Sequence, residues 1–135
     1  MSGSAAGLLD TSTLINLPRL TDPTALPDIP LISTITLAEL SVGPLVATSE
    51  RERANRQAIL QQAEADFDPL PFDAAAARAF GRVAAALRRT GRKARAYDAM
   101  IAAVALARGL PIYTSNPNDF HSIDGLTVIP VPLPN

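Results

Sequence analysis

The sequence predicts an α/β fold, a three-layer α/β/α sandwich around a mostly parallel sheet of about five strands. One observation is the order of segments, because short apolar runs alternate with longer helical segments as β-α-β-α-α-β-α-α-β-β. Another is composition: alanine fills 15 of positions 74–107, and such small side chains allow helices to pack closely. At 135 residues, the chain is predicted to form a single domain over residues 1–135.

The first half of the chain contains two predicted strands and three predicted helices. A short apolar run before turn-forming residues is typical of a buried strand, and Ser or Thr three residues before Glu is typical of a helix start. Four prolines at positions 18–30 predict a loop. The predicted elements are a strand at 6–9, a short helix at 14–17, a strand at 31–35, a helix from the Thr36/Glu39 capping box to about Val42, interrupted at Gly43-Pro44, and a helix from the Ser49/Glu52 capping box to about Ala65.

The second half contains three further predicted strands and two long helices. Asp73 is a helix-capping residue, and Gly91 and Gly109 stand where the two helices are predicted to end. The stretch 68–72 bears two prolines, which favours an edge strand. The predicted elements are a strand at 68–72, a helix at 74–89, a helix from Tyr97 or Asp98 to about Arg108, a strand at 110–114, a turn at 116–119 and a strand at 127–131.

Composition excludes several classes of protein. The absence of cysteine excludes disulfide scaffolds and thiolate zinc sites, and the single histidine, His121, argues against a Ser-His-Asp triad or a poly-histidine metal site. A hydrophobic fraction of 47% excludes intrinsic disorder. No apolar run reaches the about 18 residues of a membrane span, and the N-terminus lacks the basic flank of a signal peptide. We therefore expect a cytoplasmic protein without a membrane partner.

Charge is distributed unevenly along the chain, although the net charge is only −1. Counting Asp and Glu against Lys and Arg, residues 1–77 carry −6, residues 78–108 carry +7 and residues 109–135 carry −2. This segregation predicts a basic face, which is typical of proteins that bind a polyanion. The alternative is a solvated helix surface without a partner.

Four acids stand where predicted strands end or predicted helices begin. Asp10 ends the first strand, and Asp98 opens the last long helix. Glu39 lies in the first turn of the helix after the second strand, and Asp119 lies in the turn after the fourth strand. Sites in open parallel sheets form outside the carboxyl ends of strands. If the first and fourth strands are neighbours, Asp10, Asp98 and Asp119 converge, and Glu39 can reach them.

Each acid also has a purely structural interpretation. Asp10 could cap a helix, and Glu39 could complete a capping box. Asp98 could favour the positive end of a helix dipole, and Asp119 could form an Asx turn. Together, however, crowded carboxylates repel one another and call for a counter-charge. Oxygen ligands without cysteine select Mg²⁺ or Mn²⁺ over Zn²⁺, and such an ion beside a basic face predicts hydrolysis of phosphodiesters.

Four motifs resemble the pattern of the PIN-domain family. More narrowly, the chain resembles the VapC-type ribonuclease toxins of type II toxin–antitoxin modules over its whole length. No single motif is specific, so the resemblance depends on their order and spacing. The motifs are Leu8-Leu9-Asp10-Thr11-Ser12, Leu37-Ala38-Glu39-Leu40, Tyr97-Asp98-Ala99-Met100-Ile101-Ala102-Ala103 and Tyr113-Thr114-Ser115-Asn116-Pro117-Asn118-Asp119-Phe120.

This resemblance implies a PIN-like, Rossmann-like fold and a Mg²⁺- or Mn²⁺-dependent endoribonuclease that cuts a structured RNA, either tRNA or rRNA. It also implies a homodimer, with a larger toxin–antitoxin assembly left open, and a small antitoxin that obstructs the acidic pocket. By the same resemblance, Asp10, Glu39 and Asp98 are catalytic metal ligands. Ser12 and Thr114 would orient a carboxylate or a water through hydrogen bonds.

The fourth acid is where the chain departs from the family pattern. Many members have an acid directly after the pair that is Thr114 and Ser115 here, where this chain has Asn116. Others have the acid just before the Phe, where this chain has Asp119. We expect Asp119 to be the fourth catalytic acid and metal ligand, with Asn116 as a neutral ligand or a supporting residue. Whether one or two ions bind stays open.

A cluster of bases lies between the two C-terminal helices, within ten residues of Asp98. We predict that these bases contact RNA phosphates, which positions an RNA backbone without reading its bases. The alternative is a solvated connection. The cluster comprises Arg88, Arg89, Arg92, Lys93 and Arg95.

Apolar residues in the helices around 36–65 offer a further hypothesis. Some must face the core, and the remainder could form a groove for a partner helix, unless all of them are core. These residues are Leu37, Leu40, Val42, Leu45, Val46, Ile59 and Leu60.

The sequence thus predicts a metal-dependent endoribonuclease toxin. The main alternative is a non-catalytic PIN-like module that binds RNA or protein, and Asn116 keeps it open. A phosphoacceptor or phosphatase domain built around Asp10 is a third interpretation. Ser12 argues against it, since a second Asp at that position would be expected.

Overall fold

The computed structural model describes residues 5–134, and in that part of the chain it contains four strands and five α-helices. No helix within this range is both long and apolar enough to cross a membrane. The elements are β1 (Ala6–Leu9), α1 (Thr11–Ile15), β2 (Ile29–Leu31), α2 (Thr34–Leu45), α3 (Glu50–Asp66), α4 (Ala74–Thr90), α5 (Ala96–Arg108), β3 (Ile112–Thr114) and β4 (Val128–Pro130), with 3₁₀ turns at Leu17–Arg19, Pro23–Ala25 and Pro117–Asp119.

The four strands form one parallel sheet in the order β2-β1-β3-β4. β1 and β3 are neighbours, with Leu8 opposite Ile112 and Leu9 opposite Tyr113. The predicted α/β class is confirmed, with four strands where about five were expected. β3 corresponds to the fourth predicted strand, so the condition for the acids to converge, that the first and fourth predicted strands are neighbours, is met.

Two apolar clusters on opposite faces of the sheet produce the three layers. Successive residues of a strand point to opposite faces, so Leu8 packs with α4 and α5 whereas Leu9 packs with α1, α2 and α3. In α5, Ala102, Ala103 and Ala105 are completely buried. Their small side chains let this helix approach its neighbours closely, as the alanine content predicts.

The boundary between β2 and α2 differs from the prediction. The predicted strand 31–35 and the predicted Thr36/Glu39 capping box are both wrong, because β2 is Ile29–Leu31 and α2 begins at Thr34. Ser33 is the N-cap, and its hydroxyl accepts a hydrogen bond from the backbone N–H of Thr36 at 3.3 Å. A capping serine therefore overrides the β-branched composition of this segment.

The predicted edge strand 68–72 is reduced to a single bridge. Leu70 pairs with Ser33, donating its N–H to the carbonyl of Ile32 at 2.9 Å and accepting from Thr34 N–H at 2.9 Å. Pro69 and Pro71 flank it and lack backbone donors, so the ladder cannot extend in either direction.

α2 continues through Gly43 and Pro44, where the sequence suggested an interruption. Pro44 lies one residue before the helix ends at Leu45, so its missing N–H and its ring affect only the final turn. The carbonyl of Gly43 accepts a hydrogen bond from Arg56 Nη1 of α3 at 2.9 Å. This bond ties the end of α2 to α3.

Most predicted helix ends are confirmed. The Ser49 and Asp73 side chains cap α3 and α4 by accepting from backbone N–H groups at 3.1 and 3.0 Å. Gly91 and Gly109 end α4 and α5 with φ values of 70° and 66°, a conformation that favours glycine. α1 spans Thr11–Ile15 instead of 14–17, because Asp10 caps it. β3 and β4 are each shorter than the predicted strands at 110–114 and 127–131.

Candidate active site

The carboxyl ends of β1 and β3 define the position of the candidate site. Asp10 follows β1 directly and Thr114 ends β3, so the two residues lie at the same edge of the parallel sheet. Thr114 Oγ1 donates a hydrogen bond to Asp10 Oδ2 at 2.8 Å. A side-chain contact therefore joins the two strand ends.

Asp10 is only 3% exposed and is surrounded by donors. Its Oδ1 accepts from the backbone N–H of Thr13 at 3.1 Å and from Thr13 Oγ1 at 2.5 Å. Its Oδ2 accepts from Ser12 Oγ at 3.2 Å, in addition to Thr114. The bond to Thr13 N–H makes Asp10 the N-cap of α1. The capping interpretation of Asp10 is thus correct, and it coexists with a position in the site.

Glu39 lies beyond the first turn of α2 and does not complete a capping box. Its Oε1 accepts a hydrogen bond from Thr11 Oγ1 at 2.6 Å, and Thr11 Oγ1 is also 3.0 Å from Thr36 Oγ1. Thr11 follows Asp10 in the chain. The hydroxyl of Thr11 therefore orients the Glu39 carboxylate beside the end of β1.

Three of the predicted acids lie close enough to the fourth, Asp98, to disfavour its charge. Burial raises the pKa of Asp98 to about 6, and repulsion from Asp119, Asp10 and Glu39 contributes in that order, while the positive charge of Arg95 lowers it. Asp98 lies in the first turn of α5 and is partly exposed. The fold therefore gathers the four acids that the sequence singled out.

Asp98 and Asp119 line one open cleft of about 380 Å³. Asp119 belongs to the 3₁₀ turn Pro117–Asp119, in the segment that follows β3. Lys93 and Arg95 line the same cleft, so cations stand at its rim beside the two carboxylates. A phosphate group that approaches these carboxylates would meet this rim.

Asn116 lies in the same region but interacts through its amide nitrogen. Its Nδ2 donates to Ser12 Oγ at 3.0 Å, and its backbone N–H donates to Thr114 Oγ1 at 2.9 Å. Ser12 in turn contacts Asp10. Because the nitrogen faces Ser12, the carbonyl oxygen is the Asn116 atom that could ligate a cation.

Sequence reasoning missed the roles of Thr11 and Thr13. Thr13 Oγ1 donates to Asp10 Oδ1 and accepts from the backbone N–H of Ser115 at 3.0 Å, so it links the ends of β1 and β3 a second time. A run of three hydroxyl residues directly after a strand-ending aspartate is the signal that could have revealed them, since such hydroxyls bond to nearby carboxylates and backbone groups.

The basic cluster 88–95 does not form one uniform surface. All five bases are exposed. Lys93 and Arg95 line the acidic cleft, whereas Arg89 lines a different cleft of about 440 Å³ together with Arg82. Only part of the cluster therefore lies at the mouth of the acidic cleft.

The residues fit a hard divalent cation by donor chemistry. The acids offer oxygen donors, and their mutual repulsion shows up in the pKa of Asp98. Within residues 5–134, however, no three His, Cys, Asp or Glu side chains lie close enough to hold a metal ion as they stand. Mg²⁺ keeps several waters and is commonly bound through one or two carboxylates, so a full cage of protein ligands is not required.

Comparison with known proteins places these features in a family. The PIN domain model matches residues 8–126. Ribonuclease VapC5 of Mycobacterium tuberculosis is 41% identical over 129 residues, 94% of each chain. The tRNA(fMet)-specific endonuclease VapC of Shigella flexneri is 38% identical over 95 residues, 70% of each chain.

Solved structures with a similar fold include chains of VapBC toxin–antitoxin complexes. A chain of the VapBC-5 toxin–antitoxin structure from Mycobacterium tuberculosis superposes with a TM-score of 0.83 at 42% identity, covering 94% of this chain and 99% of that one. A chain of DNA-bound VapBC from Salmonella typhimurium gives 0.73 at 28% identity, covering 92% and 96%. The protein belongs to the PIN-domain family, in the group of the VapC ribonucleases.

Proposed function

We propose that the protein is a metal-dependent endoribonuclease toxin that hydrolyses phosphodiester bonds in a structured RNA. The observation that carries the proposal is that Asp98 and Asp119 line one cleft beside the joined ends of β1 and β3, where Asp10 and Glu39 lie near enough to contribute to the raised pKa of Asp98. Relatives at 41% and 38% identity are named as a ribonuclease and a tRNA(fMet)-specific endonuclease.

In this proposal the four acids and the neutral Asn116 carbonyl would supply the ligands of Mg²⁺ or Mn²⁺, with one or two carboxylates contacting an ion directly and its waters completing the coordination. A divalent ion supplies Lewis-acid polarisation of a phosphate and a water of lowered pKa. Asp10 is oriented for this role by Ser12, Thr13 and Thr114, whose hydroxyls donate to its two oxygens.

The bases have the complementary role of holding the substrate. Lys93 and Arg95 at the rim of the acidic cleft bind phosphates and place the scissile bond over the carboxylates. Arg88, Arg89 and Arg92 extend the positive surface away from the cleft. The RNA is a tRNA or an rRNA, and the name of the Shigella flexneri relative favours a tRNA.

Neutralisation by a small antitoxin belongs to the proposal, since the similar Mycobacterium tuberculosis and Salmonella typhimurium structures are of VapBC. Of the apolar residues in helices 36–65, Leu40 is buried, but Val42, Leu45 and Val46 of the α2 end are 47%, 85% and 59% exposed. This exposed apolar surface supports a groove for a partner helix. A homodimer acting in the cytoplasm completes the proposal.

The test is cleavage of total cellular RNA by purified protein freed of any partner. Reactions with Mg²⁺, Mn²⁺ or EDTA are compared, with Asp98→Asn as the inactive variant and Asp28→Asn as a matched control that removes an exposed acid before β2. We expect discrete fragments that require both metal and Asp98. Folded protein that binds RNA without cutting it would support the non-catalytic alternative instead, with Asn116 as its first explanation.

A further inference from the structure

We propose that α4 carries a second RNA-binding surface, which holds the part of the substrate that extends beyond the cleaved phosphate. This surface, the α4 arginine stripe, consists of Arg78, Arg82 and Arg89. The inference rests on the proposed ribonuclease function, and it adds to that function a surface outside the acidic cleft.

The three arginines share one face of α4. At 100° per residue, positions 78, 82 and 89 fall within about 40° of one another around the helix axis, and at 1.5 Å per residue they span about 16 Å along it. All three are exposed. The opposite side of the helix is buried through Ala76 and Leu87. The stripe is therefore a straight row of cations that faces solvent.

No acid on the helix compensates this row. α4 contains four arginines and no Asp or Glu, and the fourth, Arg88, lies on a different face. The ion pairs in the described residues 5–134 involve Arg53, Arg56 and Arg108, so none of them neutralises the stripe. Like charges spaced four residues apart on a helix repel, and an external polyanion would relieve that repulsion.

A cleft of about 440 Å³ runs beside the stripe. Arg82 and Arg89 form part of its wall, and Ser122 and Asp124 from the loop after β3 contribute to its lining. Guanidinium groups bind phosphate oxygens in a bidentate manner, and the Ser122 hydroxyl is a further donor. Asp124 is the one acid in the lining. The cleft can thus accommodate a phosphate-bearing backbone.

The stripe begins at the end of the α4–α5 pair that carries the acidic cleft. Asp73, just before α4, forms an ion pair with Arg108 at the end of α5 at 3.6 Å, which shows that the two helices run antiparallel. Arg89 therefore lies at the same end of the helix pair as Asp98, and Arg78 lies at the far end. An RNA strand that leaves the acidic cleft past Lys93 would reach Arg89 first and Arg78 last.

The position of Arg89 at the same end of the helix pair as Asp98 favours RNA as the occupant. An acidic protein segment could bind the stripe by charge alone. An RNA that is already bound in the acidic cleft, however, has its neighbouring phosphates held close to Arg89. Phosphate contacts of this kind fix the register of a nucleic acid and do not depend on base identity. We expect the stripe to increase the affinity of the protein for long, folded RNA without changing the rate of the chemical step.

The experiment compares two double variants that remove the same charge. Arg78→Gln with Arg82→Gln changes the end of the stripe that is farthest from the acids, and Arg51→Gln with Arg53→Gln changes exposed arginines of α3. Each protein cuts a structured RNA and a short oligoribonucleotide that spans only the cleavage site. For the stripe variant we expect the KM of the structured RNA to rise roughly fivefold at unchanged kcat. The slope of its log affinity for the structured RNA against log salt concentration should fall in magnitude by about 1.5 units.

With the oligoribonucleotide, the stripe variant should have the KM and kcat of wild type. The α3 variant should have the KM and kcat of wild type with both substrates. Equal KM values on the structured RNA, an equal rise on both substrates, or an altered oligomeric mass by light scattering would overturn the proposal. Retained RNA affinity together with lost binding to an acidic protein would also overturn it. If wild type cuts neither RNA, the ribonuclease function fails, and a gel-shift affinity for the structured RNA still decides whether the stripe binds it.

Discussion

Asp10 and Asp98 belong to the same candidate site, but the fold surrounds their carboxylates differently. Asp10 is almost fully buried, and two threonines and a serine donate hydrogen bonds to it. Asp98 is more exposed, yet burial and the neighbouring acids raise its pKa to about 6. The metal-free fold thus holds one carboxylate in place, while the other carries an unfavourable charge. Hydrogen bonds thus fix the position of Asp10, whereas burial and neighbouring carboxylates disfavour the ionised form of Asp98.

Removing either carboxylate should have the largest effect, which is on catalysis. For Asp10→Asn and Asp98→Asn alike, we expect kcat to fall at least about 10³-fold, because each change removes a charge that the proposed ion requires. The measurement is single-turnover cleavage of a structured RNA with Mg²⁺, with the exposed Asp28→Asn as the control. Activity within about tenfold of wild type in either site variant would contradict the proposed roles.

The same two substitutions should change the free energy of unfolding in opposite directions. For Asp10→Asn in EDTA at pH 7, we expect a loss of about 2 kcal/mol in the free energy of unfolding. The amide can accept at only one atom, so hydroxyl donors and the N-terminus of α1 lose partners. Urea unfolding measures this change. A variant as stable as wild type would mean that the network around Asp10 does not stabilise the fold.

Asp98→Asn should instead stabilise the metal-free protein. At pH 7 we expect a gain of about 1 kcal/mol, less than the pKa shift alone implies, because water screens this half-buried group. Above pH 6 the carboxylate is charged in both the folded and the unfolded chain, so the folded state carries the full penalty. Below the ordinary pKa of 3.8 it is neutral in both, and the penalty disappears.

The gain should therefore be complete above pH 6 and shrink as the pH falls towards 4. Urea unfolding of wild type and variant at several pH values in EDTA measures it, with Asp124→Asn as the control for loss of an exposed acid. A gain that grows as the pH falls would reverse the expected sign and refute the repulsion described for Asp98.

The smallest expected effect concerns Lys93 at the rim of the acidic cleft and its neighbour Arg92, which lies away from the cleft. Arg92→Gln with Lys93→Gln should reduce the slope of log affinity for RNA against log salt by about 1.5 units, since two phosphate contacts are lost. The fold should be unaffected because both side chains are exposed. Fluorescence anisotropy at several salt concentrations measures the slope. An unchanged slope would remove these residues from the RNA-binding surface.

Much of the fold could be predicted because its signals are local. Asp73 and Ser49 cap helices by bonding to residues three positions ahead, and Gly109 ends α5 through its own backbone conformation. The segments that were predicted wrongly depend on the chain as a whole. Ser33 begins α2 at a position that looked like a strand, and Leu70 makes one bridge between two prolines.

The candidate acids could be singled out because Asp10, Asp98 and Asp119 stand at the ends of elements, whereas Glu39 lies further into α2 than the sequence predicted. The hydroxyl network could not, since Thr13 and Ser115 meet only when β1 and β3 pair, 102 residues apart in sequence. The sequence also did not predict that bases of the cluster 88–95 line two different clefts, because this too depends on how distant segments pack. Whether Arg89 borders the acidic cleft depends on how α4 packs, and a count of charges along the chain does not contain that information.

The most direct test of the acidic site is calorimetric titration of Mg²⁺ into the metal-free protein at pH 7.5. Wild type, Asp98→Asn and the control Asp124→Asn are compared. We expect wild type and Asp124→Asn to bind Mg²⁺ with the same affinity, and Asp98→Asn to bind it at least about tenfold more weakly. Equal affinities in all three proteins would mean that the converging acids do not form the metal site, and the central claim would fail.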